Sequence, residues 1–98
     1  MKILITAATT AGAHKLKNSL INDEVLLGDH QEMPAFMGMI RLPNPASDTY
    51  THEMLTLCLD NSIDTLYLLN PQEANVLILS EQLFKEYNIN IVNGWIDL

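Results

Sequence analysis

Six residues of this 98-residue chain are of the right type and in the right place to hold a ligand. Thr9, Thr10 and Gly12 share one small-residue loop, Asp29 follows a glycine, and Asn70 precedes Glu73 by three positions. The loop Ala7-Ala-Thr-Thr-Ala-Gly12 separates a β-branched run from a helical one. That arrangement turns backbone N–H groups and the positive end of a helix toward a phosphate or carboxylate. It departs from the dinucleotide fingerprint G-x-G-x-x-G, because Ala7 and Thr9 stand where the first two glycines belong. Their Cβ atoms keep the backbone from approaching a pyrophosphate closely. A plain strand-to-helix turn accounts for the same residues. Asp29 stands where an acidic side chain accepts hydrogen bonds from ribose hydroxyls, and Gly28-Asp29 is equally an ordinary turn pair. Asn70-Pro71-Gln72-Glu73 has the signature of a helix start: Asn as N-cap, Pro preset for the first helical position, Glu closing a capping box. Capping alone explains Asn70 and Glu73, with a ligand role as the alternative.

The other reactive side chains form no constellation. His14, His30 and His52 fall on separate elements without metal-ligand spacing, and Cys58 is the one cysteine. No G-x-S-x-G nucleophile motif occurs. The sequence therefore assigns no catalytic residue, no metal site and no cofactor. Cys58 lies in a helical apolar pattern and is expected to be a buried, reduced thiol. The net charge of −7 and the total of five Lys and Arg residues argue against a nucleic-acid or anionic-membrane partner. No run is apolar for long enough to span a membrane, and the start MKILIT lacks the form of a signal peptide, so a cytoplasmic location is expected.

The elements that must position these residues alternate between strand and helix. Lys2–Thr6 reads as a strand buried on both faces, followed by a helix from Ala13 to Ile21 and a strand from Glu24 to Leu27 that ends at Gly28-Asp29. Met33–Met37 is an apolar loop or short helix, and Met39–Leu42 a short third strand. Asp48 or Thr49 caps a helix to about Asn61, with Met54, Leu55, Cys58 and Leu59 on its apolar side. Thr65–Leu69 is the fourth strand. The helix begun at Asn70 is expected to reach Tyr87 and to bury Val76, Leu77, Leu83, Phe84 and Tyr87. Val76–Leu79 read as a strand is the alternative. Asn88 ends the helix, and Asn90–Asn93 is a fifth strand. The pattern predicts one domain over 1–98, a three-layer α/β fold with a parallel sheet in the order 3-2-1-4-5. Ligands on such sheets sit at the carboxyl ends of the strands, at the switch point between strands 1 and 4. Met33, Met37 and Met39 with Phe36 either cover one edge of the sheet or form an interface, and the apolar tail Trp95–Leu98 packs on its own domain or on a partner. An apolar patch of Met33, Phe36, Met37, Trp95 and Leu98 near the surface predicts self-association.

Taken together, these segments resemble a known family. The strand KILIT, the small-residue turn, the strand ending in Gly28-Asp29 and the short strand ending in Leu42-Pro43 are similar to the pre-ATP-grasp domain. The second half adds Ile63-Asp64-Thr65-Leu66, Leu69-Asn70-Pro71-Gln72-Glu73, Glu81-Gln-Leu-Phe-Lys-Glu86 and Asn88-Ile89. That domain is the N-terminal Rossmann-like module of ATP-grasp ligases such as biotin carboxylase and carbamoyl phosphate synthase. The resemblance implies a Rossmann-like module and places ATP and Mg²⁺ on two further subdomains, whose Lys and acidic ligands have no counterparts up to Leu98. On that basis the expected role is a non-catalytic module that self-associates or docks to a separately encoded ATP-grasp protein. Two other roles stay open: a nucleotide- or carboxylate-binding domain using the strand-1 loop, and an NAD(P)-binding remnant. The last follows from a second resemblance, since short-chain dehydrogenases and epimerases also open with a KILIT-like strand.

Overall fold

Leu4 and Leu66 are register neighbours in the middle of the sheet, and neither exposes any surface. Their strands lack polar alternation because helices cover both faces, as parallel sheets require. In the computed structural model, which describes residues 2–7, 11–20, 22–29 and 40–93, the strands are β1 (Lys2–Ile5), β2 (Glu24–Asp29), β3 (Ile40–Arg41), β4 (Thr65–Tyr67) and β5 (Asn90–Val92). All pair in parallel, in the order β3-β2-β1-β4-β5. The helices are α1 (Ala11–Ser19), α2 (Tyr50–Asp60), α3 (Pro71–Leu77) and α4 (Glu81–Glu86). This is the Rossmann-like α/β arrangement that the alternation of elements predicts.

Side-chain alternation along β1 divides the core in two. Ile3 and Ile5 pack with Leu27, Ala13 and the half-buried Leu16 and Leu20, so α1 covers that face. Leu4 turns the other way, toward Leu66, Leu68, Met54 and Cys58 of α2, Leu77 of α3 and Phe84 of α4. Burying each such large apolar side chain contributes about 1.5–3 kcal/mol against exposure. Loss of Phe84 or Leu66 would therefore open a hole in the larger core.

Two of the connections close with the same local device. Ser62, at φ 56°, follows α2, while Ile63 N–H donates to Cys58 O at 2.9 Å and Ser62 N–H to Leu59 O at 3.2 Å. Asn88, at φ 63°, does the same for α4, with Ile89 N–H on Phe84 O and Asn88 N–H on Lys85 O. These are Schellman stops, each driving the next apolar residue into the core. Asn88 thus ends the helix as its sequence predicts.

Several expectations are corrected. β2 runs through Gly28 and Asp29 instead of turning there. A Cβ on Gly28 would sit 2.7 Å from Leu42 Cδ2 and 2.8 Å from its Cγ, so glycine makes room for the buried Leu42 side chain. β4 stops at Tyr67, short of Leu69. The long third helix is broken by a 3-10 turn at Ile78–Ser80, which also rules out the alternative strand at Val76–Leu79. The run Val76-Leu77-Ile78-Leu79 supplies more apolar residues than one stripe can bury: Leu77 is buried, whereas Leu79 is 86% exposed. Leu59 and Tyr87, expected inside, are exposed. Thr49 is the N-cap residue of α2, yet its hydroxyl donates to the Glu53 carboxylate rather than accepting a helix N–H. The Ser47 hydroxyl also donates to Glu53, and its oxygen accepts the Thr49 N–H at 3.3 Å. The readings of His30, Met33–Met37, Met39 and Trp95–Leu98 lie outside the described residues. Among the described residues, no helix is long and apolar enough to cross a membrane.

Candidate functional site

The switch point falls between β1 and β4, at the carboxyl edge of the sheet. β1 ends there in Thr6, whose N–H donates to Tyr67 O at 3.0 Å. The Thr6 hydroxyl oxygen, fully buried, accepts the Leu69 N–H, also at 3.0 Å. The two strands are therefore stitched together past the end of their ladder. Ala7 follows at φ 55°, the left-handed region that disfavours any residue with a Cβ. It occupies the position of the first fingerprint glycine and holds a left-handed backbone there although the glycine is gone.

On the β4 side, Asn70 behaves as its type and context predict. Its backbone is extended, its Oδ1 accepts Gln72 N–H at 2.9 Å, and Pro71 begins α3. Glu73 departs from the solvent-facing picture of a capping-box residue, because it is only 1% exposed. Its carboxylate faces the phenol of Tyr50, the first residue of α2 and equally buried. Burial first, then the Glu73 charge and hydrogen bonding to it, and last Cys58, push the phenol well above its ordinary value of 10.0. Cys58, about two helical turns further along the same buried side of α2, has its thiol pushed up to about 12 by burial. It is a buried, free cysteine, as its apolar setting predicts.

Asp29 ends β2 and is 3% exposed, its carbonyl accepting the Leu42 N–H at 2.8 Å. It stands at the carboxyl end of the strand beside β1, where a ribose-binding carboxylate belongs in this fold. Gly12 is the second residue of α1 and half-buried, while Thr9 and Thr10 lie outside the described residues. The structure thus gathers Asp29, Asn70 and Glu73 along one sheet edge, with Gly12 on the helix that follows β1. Sequence reasoning missed two contributors, Thr6 and Tyr50. Thr6 carried a signal, a hydroxyl closing an otherwise apolar strand. Tyr50 carried none, since its partner lies on another helix.

Among the described residues, no group of His, Cys, Asp and Glu side chains is placed to hold a metal ion. An open groove of about 470 Å³ runs instead along α2, lined by His52, Glu53, Thr56, Leu57, Asp60 and Asn61.

No family model matches the chain, and no curated protein matches it. A solved structure does: a partial consensus L-threonine 3-dehydrogenase (E-change), with a TM-score of 0.59 and 23% identity. The match covers 85% of this chain and 34% of that one, so the present chain spans about a third of its structural relative. The likeness defines the class, a Rossmann-like α/β module.

Proposed function

We propose that this chain is a non-catalytic, pre-ATP-grasp-like module that works by docking, on a second copy of itself or on a separately encoded ATP-grasp protein. The observation that carries this reading is the outer surface of the α2, α3 and α4 layer. Leu79 is 86% exposed, and Leu59, Ile78 and Tyr87 are each more than two-fifths exposed. Large apolar side chains concentrated on one helical layer suit contact with another protein better than contact with water. The resemblance of Ile63–Glu73 and Glu81–Ile89 to the pre-ATP-grasp domain favours that family for the module. The test is sedimentation and light scattering of the wild type and of Leu79→Glu. A concentration-dependent dimer that the substitution dissociates, with unchanged melting, supports the self-association arm. A wild type that stays monomeric at high concentration removes it, leaving an ATP-grasp partner to be tested by co-sedimentation.

One observation favours a second reading, a nucleoside- or dinucleotide-binding domain. Asp29 ends the strand next to β1, and Ala7 holds a left-handed backbone at the fingerprint's first position. The structural relative named above is a dehydrogenase, which supports an NAD(P)-type ligand within this reading. Within this reading Thr9, Thr10 and Gly12 are the candidates for the phosphates, Asp29 for the ribose and Asn70 for the far side of the crevice, while the buried Glu73 supports the start of α3 behind Asn70. Titration with adenosine, AMP, ATP and NAD, followed by amide chemical shifts, decides it. Shifts at Ala7 and Asp29 that Asp29→Asn abolishes support a ligand site, and unchanged spectra at millimolar nucleotide rule it out.

A further inference from the structure

We draw no further inference here: the strongest candidate, the open groove along the outer side of α2 between His52 and Asn61, has nothing in the structure to show what covers it.

Discussion

The Thr6 hydroxyl oxygen accepts the backbone N–H of Leu69 at 3.0 Å, inside the protein and across 63 positions of chain. This single contact joins the turn after β1 to the segment after β4, the two sides of the switch point. Thr6→Val keeps the shape and removes the acceptor, leaving a buried N–H without a partner. The expected loss is about 1–3 kcal/mol, the cost of an unmet buried hydrogen bond. Thr6→Ser should recover most of it. Urea unfolding of the two variants makes the comparison, and equal stabilities for Val and Ser would show that the contact contributes nothing.

At the end of α2, Ser62 adopts φ 56° while exposed to solvent, so its side chain contributes little packing against the backbone penalty. Ser62→Gly should raise stability by about 0.5–1 kcal/mol, the relief of left-handed strain less the added freedom of the unfolded chain. Ser62→Val should lower it, since a β-branched side chain tolerates that region worst. A shift in the urea midpoint at constant slope is the measurement. A glycine variant less stable than wild type would overturn the Schellman assignment.

Asn70→Ala should cost about 1 kcal/mol by removing the oxygen that accepts Gln72 N–H. Asn70→Asp should restore it, because aspartate caps as well and favours the helix dipole. The same variants serve the ligand reading. If Asn70→Ala leaves melting untouched yet abolishes nucleotide-induced shifts, the residue belongs to a binding site rather than to a cap.

Cys58 gives a prediction in pH. Burial raises its thiol from an ordinary 9.0 to about 12 in the folded protein. Above pH 9 the unfolded chain loses this proton while the folded one keeps it. Stability from this group is therefore complete below about pH 9 and falls progressively toward pH 12. Tyr50, whose phenol is also raised, acts in the same direction above its ordinary 10.0. Melting followed from pH 8 to pH 10.5 should fall less steeply in Cys58→Ala than in wild type. Identical slopes would place the thiol in contact with solvent.

The parts of this fold that were legible in the sequence are those where one residue type has one physical use. Ile3-Leu4-Ile5 and Thr65-Leu66 lack polar alternation and lie at the centre of the sheet, each with both faces covered. Asn70-Pro71 begins a helix because asparagine accepts and proline needs no partner. Ambiguity entered where one signal serves two geometries. Gly28-Asp29 has the composition of a turn, and only the position of Leu42 shows that glycine is there to make room for its side chain. The periodicity from Ala74 to Tyr87 implied one helix, because nothing in Ile78-Leu79-Ser80 marks the tighter turn that leaves Leu79 and Tyr87 exposed. Of the site, Asp29 and the Asn70 cap could be placed in advance. The burial of Glu73 could not, since it depends on where α2 brings Tyr50.

That pairing supports the last prediction. Tyr50 heads α2 and Glu73 lies in the first turn of α3, so their coupling ties together two helices that begin at the same edge of the sheet. Both side chains are 1% exposed, where water screens little and a lost partner is costly. Tyr50→Phe removes the group that faces the carboxylate and should destabilise by about 1–3 kcal/mol. Glu73→Gln keeps size and amide-level polarity but discharges the site, so the phenol's proton is no longer held by a neighbouring charge. If the two residues act as a unit, the double variant will differ from the sum of the singles by more than about 0.5 kcal/mol, the usual limit for independent sites. Ultraviolet titration gives an independent readout. In Glu73→Gln the Tyr50 phenol should ionise at lower pH than in wild type, because one of the causes holding it up is gone, although burial still keeps it above 10.0. Additive energies together with an unmoved titration would show that the two groups are neighbours without being partners.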